Sequence, residues 1–264
     1  MSEIKTSHYK IRSPLSRPWQ PFSLVLLADL HNASFGPRNE RLLQEIRAAD
    51  PRAVLAAGDM VVAKGKRFQA DAAVELLGEL TRRYPVFYAN GNHEDRLELK
   101  KETFGDAYQN YMEEIQSLGV RLLMNTSQQM EINRMKLAIY GYRPDWKYYR
   151  HGCREEMTER ELTEALGEPD PDVFTILLAH HPSYFKAYAR WGADLTLSGH
   201  LHGGMVRLPL LGGVVSPGWT LFPKYDHGLY TMGSKKMIVS AGLASHTIKL
   251  RLNNPPELVV IDFL

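Results

Sequence analysis

Ser198-Gly199-His200-Leu201-His202-Gly203-Gly204-Met205 (SGHLHGGM, residues 198–205) follows directly on the short apolar run Leu195-Thr196-Leu197. Two imidazoles two residues apart and fenced by glycines contribute little to packing, and a flexible linker would not follow a buried strand. If the stretch is extended, His200 and His202 project from the same side of the chain, and each can take one ion. The glycines would let the backbone turn sharply and approach those ions without a Cβ in the way. The meaning of the stretch then depends on what else in the chain could point at the same place.

Working outward, the same event recurs. Phe22 to Ala28 is an apolar strand candidate that stops at Asp29-Leu30-His31, and Ala53 to Ala57 stops at Gly58-Asp59. Val86 to Ala89 runs into Asn90-Gly91-Asn92-His93-Glu94, and Val173 to Ala179 runs into His180-His181-Pro182. Helical spacing falls between them, over Leu42, Leu43 and Ile46, from Asp71 to Arg83, from Tyr108 to Leu118 and from Arg154 to Leu166. Further strand candidates are Val120–Met124, Leu137–Tyr140, Met237–Ala241 and Leu258–Phe263. Strand-helix-strand order first and strand-rich order later predict an α/β chain built on stacked sheets. In such sheets ligands gather where strands end at their carboxyl side. Singly, Asp-x-His or Gly-Asp reads as a turn; the ordered set, each member at a strand end, carries the argument.

The donors are two carboxylates, several imidazoles and an amide oxygen, with no thiolate. That set suits Mn²⁺, Fe or Zn²⁺ in a reactive site better than a structural zinc, and it is too large for one ion. Asp59, with two carboxylate oxygens, is suited to bridge a pair of ions.

This ordered set resembles the calcineurin-like metallophosphoesterases, over roughly residues 22 to 263. The stretches GHLHGGMVRLPLLGGVVSPG, GLYTMGSKKMIVSAGL and NNPPELVVIDF are similar to the bacterial branch of membrane- and cell-wall-associated phosphodiesterases. The resemblance implies a four-layer α/β/β/α sandwich of two mixed β-sheets flanked by helices. It implies Asp29, His31 and His202 on one divalent ion, Asn92, His180 and His200 on a second, Asp59 bridging, and His93 as the catalytic residue facing substrate. The implied reaction is hydrolysis of phosphodiester or pyrophosphate bonds by metal-activated hydroxide, in a lipid- or nucleotide-linked substrate. Mn²⁺ is the expected cofactor, with Fe or Zn²⁺ as alternatives. Glu94 or Asp95 is expected to orient the His93 ring. Where the branch often carries Arg-Gly, this chain reads Ser240-Ala241-Gly242.

Composition sets the outer limits. The 264 residues are 44% hydrophobic, enough for a large core in a single domain, with residues 1–20 read as an N-terminal extension. A net charge of +2 gives no reason to expect a polyanion, so no specific nucleic acid partner is predicted. Cys153 has no disulfide mate, which fits a reducing compartment, and no signal-like or membrane-spanning run is present. The expectation is a cytoplasmic monomer acting on a small phosphoester, with a peripheral membrane contact through the apolar stretch Met205–Phe222 or, alternatively, that stretch as a hairpin buried on the second sheet. Arg143 to His151 reads either as a substrate-facing loop or as a solvated one. A nuclease or cyclic-nucleotide phosphodiesterase, and a non-catalytic metal-binding scaffold, are the rival functions.

Overall fold

Short strands of Val, Leu, Ile and Ala that are apolar at every position can persist only where both of their faces are covered. That is how the chain uses them. The computed structural model describes residues 3–12, 20–150, 152–204, 206–208, 212–215, 223–244 and 254–264. Its strands are β1 (Lys5–Ile11), β2 (Phe22–Leu27), β3 (Val54–Ala57), β4 (Val62–Lys64), β5 (Arg67–Gln69), β6 (Val86–Ala89), β7 (Arg121–Leu122), β8 (Thr126–Ile132), β9 (Met135–Gly141) and β10 (Phe174–Leu178). They continue with β11 (Leu195–Ser198), β12 (Val206–Leu208), β13 (Gly212–Val215), β14 (Gly228–Met232), β15 (Lys235–Val239) and β16 (Glu257–Phe263). The helices are α1 (Glu40–Ala48), α2 (Asp71–Thr81), α3 (Asn92–Leu99), α4 (Lys101–Phe104), α5 (Ala107–Ser117), α6 (Glu159–Leu166) and α7 (Phe185–Trp191).

Two six-stranded sheets result, in the orders β1-β16-β2-β3-β6-β7 and β14-β15-β11-β10-β9-β8. Both are mixed: β2, β3, β6 and β7 run parallel to one another, as do β9, β10, β11 and β15, with antiparallel partners at β16, β8 and β14. Period-two alternation sorts each strand between two cores. Leu24 and Leu26 of β2 face Ile176, Leu178, Leu195 and Leu197 of the second sheet, so the sheets stack face to face. Val25 and Leu27 face Leu42, Ile46, Leu76, Leu80 and Ile115 on α1, α2 and α5. Across the molecule, Tyr140 and Leu177 pack on Leu162, Tyr188 and Trp191 of α6 and α7. The layers are therefore helix, sheet, sheet, helix, as the resemblance implied.

Several boundaries moved. The strand expected over Val120–Met124 pairs only at Arg121–Leu122, and the helix expected from Arg154 starts at Glu159, after a Thr158–Glu161 capping box. Lys5–Ile11, within the stretch read as an extension, forms the edge strand of the first sheet beside β16. Six of its seven residues are exposed or half-buried, so hydrophobic spacing did not mark it. Within Met205–Phe222 the structure describes only β12 and β13, which pair as an antiparallel hairpin. The rest of that stretch, including Leu210, Leu211 and Trp219, lies outside the described residues, as does His151. No helix among the described residues is long and apolar enough to cross a membrane.

Candidate metal centre

Parallel strands deliver their carboxyl ends to one edge, and backbone pairing continues a few residues past each end. Asp29 N–H donates to Gly58 O (3.1 Å) and His31 N–H to Asp59 O (3.0 Å), which ties the loop after β2 to the loop after β3. Ala244 N–H donates to Asp29 O, bringing in the segment after β15. On the second sheet, Gly199 N–H donates to His180 O. Five of the candidate ligands, Asp29, His31, Asp59, His200 and His202, have φ between 44° and 73°. Asp and His adopt this left-handed conformation more readily than most residues, and its concentration here marks a strained functional edge. His200 and His202 therefore do not sit on an extended strand as expected. The chain turns at each, with Leu201 N–H on Gly199 O and Gly204 N–H on Leu201 O, and both rings still reach the centre.

Glycine acts here by making room for ligands rather than for ions. A Cβ on Gly91 would lie 2.3 Å from Asp59 Oδ1, and one on Gly199 would lie 2.4 Å from Asp29 Oδ2.

The side chains converge in three overlapping groups: Asp29, His31 and His202; His31, Asp59 and His93; and Asp59, His180 and His200. Within each group the ligand atoms lie within 4.8 Å of one another. Asp59 and His31 each belong to two groups. Asp29, Asp59 and His180 are at most 1% exposed.

Whether the set fits cations can be read from its proton inventory. His180 Nδ1 donates to Ala57 O (2.7 Å), and His202 Nδ1 to Ala244 O (2.9 Å). In each neutral ring the lone pair is then on Nε2. That of His180 faces Asp59 Oδ2 at 3.2 Å, and that of His202 faces Asp29 Oδ1 at 3.4 Å. Acceptors aimed at acceptors call for a positive charge between them. The demand appears in the titration of His180: burial alone would lower its pKa, but Asp59 and then Asp29 raise it to about 10. Burial also works to raise the Asp59 pKa, yet His180, His93 and His31 hold it well below the usual carboxylate value. Asn92 Oδ1 is buried with no hydrogen-bond partner among the described residues, as is Asn90 Oδ1 two residues earlier. Oxygen and nitrogen donors with outward N–H groups anchored on carbonyls are the arrangement expected of divalent-metal ligands.

His93 is held differently from expectation. Its Nδ1 accepts from Ala63 N–H (2.9 Å) on β4, not from either neighbouring carboxylate. Glu94 is occupied elsewhere: its two oxygens accept from the N–H groups of Asp59, Met60, Val61 and Gly91 and from the Tyr88 hydroxyl. Asp95 accepts from Asn90 Nδ2 and pairs with Arg143 Nε at 2.7 Å. The reason is helical: Glu94 and Asp95 are in the first turn of α3, and their side chains project back past its N-terminus rather than along the His93 ring.

Other contributors left little trace in the sequence. Arg96 donates to Ala63 O (2.6 Å) and lies over the Trp146 ring, bracing β4. Asn254 Nδ2 holds His202 O and Gly204 O. Their only signal was polarity near the right strands. Of the Arg143–Arg150 loop, Arg143 is tied to Asp95 and Glu98, and Lys147 to Glu155, so those cations are already paired. His181, next to His180 in the chain, places its ring 4.4 Å from that of His200, tilted by 41°.

Comparison with known proteins agrees with this geometry. The family model described as calcineurin-like phosphoesterase matches residues 22–204. A Bacillus subtilis metallophosphoesterase, YkuE, is 24% identical, the match covering 97% of this chain and 84% of that protein. The Escherichia coli phosphodiesterase YaeI is 25% identical, over 92% of this chain and 83% of that one. Among solved structures, a Thermus thermophilus sulfate thiohydrolase, SoxB, superposes with a TM-score of 0.52 at 14% identity, over 86% of this chain and 53% of that one. With the family match running from β2 through the paired histidines, this chain belongs to the calcineurin-like phosphoesterases and is a metal-dependent phosphoric ester hydrolase.

Proposed function

We propose that the chain hydrolyses phosphodiester or pyrophosphate bonds of a small lipid- or nucleotide-linked substrate at a dinuclear centre. Asp29, His31 and His202 would hold one divalent ion, Asn92, His180 and His200 the other, and Asp59 both. The observation that supports this most is the double membership of Asp59, which shares one close group with His31 and another with His180 and His200. When bound, the ions, Mn²⁺ by first choice and Fe or Zn²⁺ otherwise, would supply Lewis acidity and a water of lowered pKa.

The protein's own part is positional. Because Nδ1 of His93 accepts from Ala63 N–H, its proton rests on Nε2, where it can be donated to a phosphoryl or leaving oxygen. General acids of this kind contribute about 10²–10⁴-fold. Burial of Asp29, Asp59 and His180 keeps water from screening these charges. The name of the Escherichia coli relative supports a diester over a monoester. A cytoplasmic location with peripheral membrane contact accompanies the lipid-linked reading.

Purified protein loaded with Mn²⁺ should carry two ions per chain and turn over bis(p-nitrophenyl) phosphate faster than p-nitrophenyl phosphate. Metal retention without turnover of any ester would favour the scaffold reading, and a single ion per chain would overturn the dinuclear one.

A further inference from the structure

We propose that the Tyr149 hydroxyl is a substrate ligand that donates a hydrogen bond to a non-bridging phosphoryl oxygen; this rests on the phosphoesterase reading above. Tyr149 ends the short 3₁₀ turn Trp146–Tyr149. Its ring centroid lies 5.5 Å from that of His200, 5.6 Å from His181 and 6.4 Å from His180, so it flanks the imidazoles of the second sheet. Its hydroxyl is buried and has no hydrogen-bond partner among the described residues.

The rest of the turn is firmly tied. Tyr148 donates to Glu161 Oε1, Tyr184 donates to Tyr148 O at 3.2 Å, Lys147 pairs with Glu155 and Trp146 lies beneath Arg96. A turn anchored at its other side chains holds Tyr149 in place, and a buried hydroxyl left unpaired there needs an explanation. Of the four other unpartnered buried side-chain atoms among the described residues, Asn92 Oδ1 and His180 Nε2 belong to the same centre, while Asn90 Oδ1 and Thr196 Oγ1 are not among its candidate ligands. The two at the centre are acceptors, which a cation satisfies. A phenol O–H is a donor, and its complement is an anionic oxygen.

The test is Tyr149→Phe, which keeps the ring and removes the donor. Calorimetric titration of the Mn²⁺-loaded protein with inorganic phosphate should show binding weakened about tenfold to hundredfold, the worth of one hydrogen bond to a charged acceptor. KM for bis(p-nitrophenyl) phosphate should rise in parallel, while metal content and melting midpoint stay at wild-type values. Unchanged phosphate affinity, or metal lost from the variant, or a lowered midpoint would each overturn the assignment. A wild-type protein that turns over no ester would defeat the phosphoesterase reading, and the phosphate titration would still decide the role of Tyr149.

Discussion

The two sheets supply unlike banks to one centre. The first contributes both carboxylates, Asp29 and Asp59, and the Gly91-Asn92-His93 loop, with the buried Glu94 tying the Asp59 loop to Gly91. The second contributes the imidazoles of His180, His200 and His202, with His180 and His202 anchored by Nδ1 on carbonyls, one of them (Ala57 O) belonging to the first sheet. In the first bank, ligand placement and local stability are the same network. In the second they are less entangled, because the anchors the structure shows for His180 and His202 are one backbone carbonyl each.

The largest effect should come where the banks meet. Asp59→Ala is expected to abolish both turnover and metal retention, and chelation, which should lower the melting midpoint of the wild type, should leave that of the variant unmoved. Activity surviving this change would remove the basis for the dinuclear centre.

Next is Glu94. Glu94→Ala leaves four N–H groups and the Tyr88 hydroxyl without their acceptor. At about 1–3 kcal/mol for each group not reached by water, partly relieved by relaxation, a loss of about 3–5 kcal/mol in denaturant unfolding is expected. Glu94→Gln retains one acceptor oxygen and should lose less than half of that. His202→Ala should instead lose metal and activity while unfolding within about 1 kcal/mol of metal-free wild type. Equal destabilisation by Glu94→Ala and His202→Ala would erase the distinction between the banks.

The smallest effect lies beneath the second bank, where Glu257 accepts from His227 Nε2 (2.8 Å) and from Ala241 N–H (2.7 Å). Burial would raise the Glu257 pKa, but the bond to His227 prevails and lowers it below its ordinary value of 4.5. A carboxyl whose folded pKa is depressed stabilises the protein above its unfolded pKa, and that contribution is lost as pH falls through the folded value. His227→Ala should therefore flatten the acid limb of unfolding below pH 4.5, by about 1 kcal/mol, and leave stability near pH 7 lowered by a similar amount.

The ligands themselves were legible because chemistry and local conformation ask for the same residues. Asp, Asn and His tolerate left-handed backbone, ligate divalent ions and follow short apolar strands, so the motifs stand out in one dimension. The four layers were legible only through the resemblance those motifs carry. Glu94 was visible but misassigned: adjacency suggested the His93 ring, whereas the first turn of α3 directs its carboxylate to the Asp59 loop. β1 was missed because an edge strand half in solvent has no apolar signature.

By itself, the sequence determined which atoms are available to hold cations and that they cluster at strand ends, since strand length and residue type are local properties. Only the tertiary structure decided which nitrogen of His180 and His202 faces inward, that Ala63 and not a carboxylate holds His93, and that the Tyr149 hydroxyl is left without a partner among the described residues. Those outcomes depend on carbonyls, amides and rings contributed by segments remote in the chain, whose positions are set by the stacking of the two sheets.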